Sequence, residues 1–203
     1  MARKARIAVL VSGGGTNLGA LIAAEQSGII KSGTISLVIS NVTGAYALTR
    51  AENAGIEALV VTKKACGGAE AFEQRLIEEL DSRGIGLIVL AGFMSILSES
   101  FTSHYRDRII NVHPSLIPAF CGQGFYGLRV HEAALEYGVK VTGATVHFVN
   151  EIPDGGRIIM QKAVTVREND TPERLQKRVM RQAEWKILPL ACEKVAADML
   201  AAR

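Results

Sequence analysis

Apolar residues along the chain follow two rhythms that alternate from end to end. Short runs rich in Val and Ile, apolar at almost every position, predict strands over Arg6–Ser12, Thr34–Asn41, Ala58–Val61, Leu87–Ala91, Ile109–His113, Val141–Val149 and Ile158–Val166. The early runs have no polar face, as in a parallel sheet covered on both sides. Between them, longer stretches predict helices over Asn17–Ser27, Ala45–Ala54, Ala69–Arg83, Glu99–Tyr105, Val130–Tyr137 and Pro172–Ala201. The last helix is the best marked. Thr171 can cap it and Pro172 fits its first turn. Leu175, Val179, Ala183 and Ile187 fall four apart and make a core stripe. Pro189 is expected to kink or break it. The order βαβαβαβ predicts an α/β fold built on an open, doubly wound, mostly parallel sheet. Such sheets bind ligands outside the carboxyl ends of their strands.

The strand Ile109–His113 carries two polar residues where its neighbours are apolar. Alternate strand residues point to the same face, so Asn111 and His113 lie side by side, with Cα atoms roughly 6–7 Å apart. Pro114 biases His113 toward extended geometry and ends the strand there. A lone histidine at a strand end is commonly a satisfied polar group. The run Asn111-Val-His113-Pro-Ser-Leu, read with the rest of the chain, favours half of an active site. The following stretch, Ala119–Leu128, holds Gly122, Gly124 and Gly127 and reads as a flexible loop well placed to be a lid.

Strand one runs into Ser12-Gly13-Gly14-Gly15-Thr16-Asn17 and then a helix. Glycines let the backbone turn tightly and bring N–H groups close to a ligand. The helix start adds free N–H groups and the positive end of its dipole. A plain strand–helix turn is the alternative to an anion site. The loop is not a dinucleotide fingerprint, because Leu18 stands where its third glycine would, and no Gly-Lys-Ser/Thr of a P-loop follows. A phosphate monoester therefore fits better than NAD or ATP.

A third polar group, Asp154, sits in a Pro-Asp-Gly turn, where aspartate is commonly structural. A carboxylate near an imidazole would raise the imidazole's pKa. His147 lies in an apolar strand and reads as a satisfied structural histidine. His104 and His131 read as surface or helix residues, and Ser12 and Ser115 as turn or cap residues.

Composition narrows the class. The chain has 203 residues, enough for one domain, 1–203, with a sizeable core. Hydrophobic residues make up 48% and charged ones 21%, a globular balance. Net charge is 23 − 20 = +3, too small to argue for nucleic acid, and no basic cluster is backed by aromatics. Cys66, Cys121 and Cys192 form no zinc or disulfide pattern, so a reducing cytoplasm is the expected home. The apolar run after the basic start is only Ile7 to Val11, shorter than a signal peptide needs. The longest near-apolar stretch, Leu87 to Leu97, is too short to span a bilayer.

Several segments together resemble the folate-dependent formyltransferases, specifically the short, stand-alone phosphoribosylglycinamide-dependent branch. They are Ser-Gly-Gly-Gly-Thr-Asn (12–17), Leu-Ala-Gly-Phe-Met-Ser-Ile-Leu (90–97), Asn-Val-His-Pro-Ser-Leu-Ile-Pro (111–118), Gly-Ala-Thr-Val-His-Phe-Val (143–149) and Asp-Gly-Gly (154–156). They occur in order over most of the chain. The resemblance implies a Rossmann-like formyltransferase fold. It also implies formyl transfer, in purine biosynthesis, from 10-formyltetrahydrofolate as co-substrate to the amine of phosphoribosylglycinamide. The transfer would proceed by direct attack, with no metal and no covalent intermediate. By the family's pattern Gly15, Thr16 and Asn17 hold the substrate phosphate and Glu184 faces the ribose. Met94, Ser95, Ile96 and Leu97, with Asn111, line the folate pocket. Asn111, His113 and Asp154 carry the chemistry. Two positions depart from the pattern: Ser95, where relatives often have a basic residue suited to a folate glutamate tail, and Arg157, where relatives commonly have proline. Partners are expected to be small molecules, without nucleic acid or membrane, and the oligomeric state stays open.

Three other readings remain. A hydrolase releasing formate from the same folate would usually carry an extra N-terminal domain, whereas the first strand here begins near Arg6. A methionyl-tRNA formyltransferase would carry an extra C-terminal domain. The glycine loop alone would allow a nucleotide-binding module without catalysis; the Asn111, His113 and Asp154 set argues against it.

Overall fold

The computed structural model describes residues 4–202. The chain runs β1 (Ala5–Val11), α1 (Thr16–Gln26), β2 (Gly33–Ser40), α2 (Tyr46–Asn53), β3 (Glu57–Val60), α3 (Lys63–Cys66), α4 (Ala69–Ser82) and β4 (Leu87–Leu90). It continues through α5 (Glu99–His104), β5 (Ile109–His113), α6 (Leu128–Tyr137), β6 (Val141–Phe148) and β7 (Ile158–Thr165). It closes with α7 (Pro172–Val179), a π-helical turn (Met180–Glu184) and α8 (Trp185–Ala201).

The seven strands form one sheet in the order β3-β2-β1-β4-β5-β6-β7. The first five are parallel. β6 pairs antiparallel with both β5 and β7. The chain winds outward from β1 through β2 and β3, then returns to lay β4 on the other side of β1. That reversal opens a crevice at the carboxyl ends of β1 and β4, where α/β sheets of this kind bind ligands. The expected doubly wound, mostly parallel sheet is what forms.

Burial on both faces explains why the early strands have no polar side. Ile7, Val9 and Val11 face a cluster that includes Leu18 and Leu21 of α1 and Leu188, Cys192 and Val195 of α8. Ala8 and Leu10 face the opposite cluster, with Phe72, Leu76 and Leu80 of α4 and Phe101 of α5. Each such large side chain contributes roughly 1.5–3 kcal/mol by leaving water. Among the described residues no helix is long and apolar enough to cross a membrane.

The start of α7 follows the sequence: the Thr171 hydroxyl accepts from the Arg174 N–H, and Pro172 opens the helix. Of the two outcomes expected at Pro189, a break does not occur, because α8 runs unbroken through it. The irregularity lies one turn earlier, in the π-helical turn Met180–Glu184. A proline ring crowds the carbonyl four residues before it, here that of Trp185. Trp185 sits at ψ −7°, far from the usual helical value of about −42°. The crowding is thus absorbed upstream of the proline. The helical turn Lys63–Cys66 was not expected; Thr62 caps it by accepting from the Ala65 N–H.

Candidate active site

The first turn of α1 and the connections after β4, β5 and β6 meet at one cleft of about 710 Å³. It is bordered by Asn17 and Glu184 at one end and by Asn111, His113 and Asp154 at the other. A smaller recess of about 130 Å³, lined by Leu90, Leu97, Val149 and Ile152 among others, opens beside Asn111 and Asp154.

The glycine loop leads into α1. Gly15 caps the helix at φ 67°, and a Cβ there would lie 2.6 Å from the Ala47 Cβ, so glycine is required. At Gly13 and Gly14 a Cβ would meet nothing within 4 Å, leaving that side of the loop open. Arg50, unnoticed in the sequence, donates from Nε to the Gly14 carbonyl at 2.8 Å and brings a cation to the loop. Its signal was hidden, since one arginine on α2 looks like any solvated charge. Thr16 is exposed, whereas Asn17 is buried. The Asn17 side chain turns inward and donates from Nδ2 to Glu184 Oε2 at 2.8 Å. Among the described residues Asn17 Oδ1 is buried without a partner. Glu184 is 6% exposed, and burial raises its carboxyl above the usual range against the opposing Asn17 hydrogen bond.

After β4, Met94 and Ile96 are exposed at the cleft, Ser95 is half-buried and Leu97 is buried. Leu97 packs into the core and lines only the smaller recess. Ser12 proves to be more than a turn residue. Its hydroxyl donates to Asn41 Oδ1 at 2.6 Å and accepts from the Met94 N–H at 2.8 Å. Asn41 Nδ2 in turn donates to the Ser95 hydroxyl at 2.8 Å. The ends of β1 and β2 and the connection after β4 are thereby tied together.

Asn111 and His113 sit on β5 as expected, and Asp154 reaches them. Gly156 makes this possible: a Cβ there would collide with the Phe148 carbonyl, so only glycine lets the chain double back from β6 to β7. Asp154 itself is left-handed, at φ 56°. His113 Nδ1 lies 3.3 Å from Asp154 Oδ2, and His113 Nε2 lies 2.8 Å from the Phe120 carbonyl oxygen. The Gly122 N–H donates to Asp154 Oδ2 at 2.8 Å. The 119–128 loop therefore touches both catalytic candidates through its main chain.

Charge balance at His113 departs from the expectation. Burial pushes its imidazole below the usual value, against Asp154 and the Phe120 carbonyl, which push it up. The carboxylate acts in the expected direction but is outweighed. Both ring nitrogens nevertheless face oxygen acceptors, so the local contacts favour the charged ring and the low-dielectric surroundings oppose it. At Asp154 burial works to raise the carboxyl, but His147, His113 and the Gly122 N–H outweigh it and hold the group low.

His131 also departs from the sequence reading. It lies on α6 but is fully buried beside the cleft, with neither ring nitrogen partnered, and burial lowers it to about 4. His104, by contrast, is surface-exposed and meets Asp81 at 3.0 Å. Ser115 keeps its turn role, donating to the Ala119 carbonyl at 2.6 Å. Cys66, Cys121 and Cys192 are all free thiols. Among the described residues no group of three or more His, Cys, Asp or Glu is set to hold a metal ion.

The chain is similar to known proteins over most of its length. The family model described as formyl transferase matches residues 5–192. Phosphoribosylglycinamide formyltransferase of Escherichia coli (strain K12) is 43% identical over 184 residues, covering 91% of this chain and 84% of that protein. The trifunctional purine biosynthetic protein adenosine-3 of Homo sapiens is 44% identical over 195 residues, covering 96% of this chain; the chain spans only 19% of that protein's length. Among solved structures, glycinamide ribonucleotide transformylase 1 from Symbiobacterium toebii superposes with a TM-score of 0.90 at 41% identity, over 98% of this chain and 90% of that one. Phosphoribosylglycinamide formyltransferase from Brucella melitensis gives a TM-score of 0.88 at 41% identity, over 96% of this chain and 97% of that one.

Proposed function

The chain belongs to the formyl transferase family, and from that premise we propose that it transfers the formyl group of 10-formyltetrahydrofolate to the amine of phosphoribosylglycinamide, a step of purine biosynthesis. One observation carries the reading: Asn111, His113 and Asp154 meet at one end of a cleft whose other end holds the glycine loop's helix and Glu184. The cleft of about 710 Å³ sets groups suited to a phosphate at one end and groups suited to acyl chemistry at the other. We read residues 1–203 as one formyltransferase domain, acting in the cytoplasm on small molecules and not on nucleic acid. Three free thiols accord with a reducing compartment.

The backbone N–H groups of Gly15, Thr16 and Asn17, with the Arg50 guanidinium, bind the substrate phosphate. Glu184, held by Asn17, accepts from ribose hydroxyls. Met94, Ile96 and the recess beside Leu97 take the apolar face of the folate, and Ser95 is its polar neighbour. The residues fit that co-substrate: a mixed apolar cleft with amide and carboxylate groups at its inner end.

An α-amino group has a pKa near 7.7–8.0, so a minority of the substrate amine is already neutral at pH 7 and attack needs no strong base. The amine attacks the formyl carbon, and the formyl oxygen gains the electron pair of the broken π bond. Asn111 donates an amide N–H to that oxygen, and His113 donates a ring N–H. One such donor contributes roughly 3–4 kcal/mol in the transition state. The Phe120 carbonyl holds the His113 Nε2 proton in the present loop arrangement. That donor reaches the substrate when the loop main chain yields or shares it. The C–N bond to the folate nitrogen then breaks, and a proton passes to that nitrogen from His113 or through water held by Asp154. The amine's surplus proton replaces it, so the protein ends as it began.

A spectrophotometric assay with 10-formyl-5,8-dideazafolate, run with and without phosphoribosylglycinamide, tests the proposal. Deformylation only in the presence of the amine is the expected result. Deformylation without it would make the protein a hydrolase, and no turnover in either case would overturn the catalytic reading.

A further inference from the structure

His147 has no role in the mechanism above, yet its contacts lead directly into it. It sits on β6 opposite Asn111 in the antiparallel ladder, so the two side chains share one face of the sheet. It is 1% exposed. His147 Nδ1 lies 2.8 Å from the Phe148 carbonyl oxygen. A carbonyl only accepts, so Nδ1 carries the hydrogen. In the neutral ring Nε2 then offers only a lone pair. The group 3.1 Å from Nε2 is Asn111 Nδ2. An amide nitrogen only donates, so the bond runs from Asn111 to His147. Reversing the amide would set the Asn111 oxygen against the Nε2 lone pair. Asp154 Oδ1 lies 3.6 Å from Nε2, outside hydrogen-bond range.

We infer that His147 is a positioning residue: through its Nε2 lone pair it binds one Asn111 N–H, fixes the amide's orientation, and leaves the second N–H for the formyl oxygen. The inference rests on the proposed role of Asn111 as an oxyanion donor. The chain of fixation is short, with His147 buried between a half-buried Asn111 and Phe148. The Phe148 carbonyl sets the His147 tautomer, and the tautomer sets which way the Asn111 amide faces. The energetic logic is that of a donor held at its working angle before the charge develops, so that no reorganisation is needed when it does. An amide free to turn over would spend part of its time presenting oxygen to a developing oxyanion. Positioning errors of about 1 Å cost on the order of 100-fold in rate.

Two substitutions separate positioning from a merely structural role. In His147→Gln the amide oxygen can take the place of Nε2 and accept from Asn111. In His147→Asn the shorter side chain reaches only the position of Nδ1, keeping the bond to the Phe148 carbonyl and losing the acceptor. Positioning predicts that His147→Asn lowers kcat about 100-fold with KM for both substrates nearly unchanged, and that His147→Gln retains most of the activity. The opposite ranking overturns the inference.

A cycle with Asn111→Ala completes the test. If His147 acts through Asn111, the double variant is no slower than Asn111→Ala alone. Should Asn111→Ala leave kcat intact, the oxyanion reading itself fails. Should Asn111→Ala be slow but the two losses multiply, that reading stands and the positioning role falls. Rates are scaled to the folded fraction from thermal melts. If His147→Asn does not fold, the cycle is run with His147→Ala, again compared with His147→Gln.

Discussion

Asp154 occupies a left-handed backbone position that few residues accept, at φ 56°. Asparagine tolerates that region as aspartate does, so Asp154→Asn removes the charge with little added strain. Because His113 acts as the proton donor, its contribution to kcat/KM should be lost as pH rises through the imidazole titration, a limb that burial displaces toward acid from the usual histidine range. Asp154 is one of the groups pushing His113 up, so Asp154→Asn should move that limb further toward acid and lower the plateau. An unmoved limb would show that Asp154 does not act through the imidazole. Glu184 gives a stability prediction of opposite character. Its folded pKa is raised by burial, so the native state binds more protons than the unfolded chain as pH rises from about 4.5. Stability is therefore lost as pH rises from there, and burial of Glu184 is a cost at neutral pH. Glu184→Gln should raise Tm at pH 7 by about 2–4 °C for each kcal/mol relieved, lose that advantage below pH 4, and raise KM for phosphoribosylglycinamide. Residues of this kind differ in how far the sequence reveals them. Asn111 and His113 stand out because polar groups interrupt an apolar strand. His147 does the same, but its partner lies 36 positions away on another strand, and no local pattern announces that pairing. Arg50 is hidden because its Gly14 partner lies 36 positions away, and His131 because its burial depends on packing that the sequence does not display.

Among the elements, the glycine loop and the last helix show what a hydrophobic pattern can and cannot express. Gly15→Ala forces a Cβ to within 2.6 Å of Ala47 at a positive φ, a strain of about 1–3 kcal/mol. It should lower Tm by several degrees and raise KM for the ribonucleotide while leaving the folate KM near its wild-type value. Gly14→Ala meets nothing in the protein, so its Tm should hold. A raised KM there would report close approach of the phosphate to the backbone. Equal melting temperatures for the two variants would remove the steric argument for Gly15. The π-helical turn Met180–Glu184 could not be read in advance. Leu175, Val179, Ala183 and Ile187 all remain buried on one side despite the wider turn, so the apolar spacing gives no sign of it. The turn Lys63–Cys66 is four residues long, too short to display any period.

For the molecule as a whole, strand order decides where chemistry can happen. The reversal between β1 and β4 gathers connections that are remote in sequence, and Ser12 joins two of them through one hydroxyl. Ser12→Ala should therefore raise KM for both substrates together, since the loop facing the phosphate and the segment facing the folate lose a common support. A rise confined to one substrate would show that the two ends of the cleft are held independently. The alternation of strands and helices made the doubly wound sheet legible, because each element buries the faces its sequence pattern marks. The position of the 119–128 loop was not legible, since its glycines permit many paths. That loop meets His113 with the Phe120 carbonyl and Asp154 with the Gly122 N–H. Both are main-chain groups, and a main chain is blind to the identity of the side chains it carries. A library that randomises Gln123, Phe125 and Tyr126 should accordingly yield many active members, whereas proline at position 122, which deletes the N–H, should be absent from the survivors.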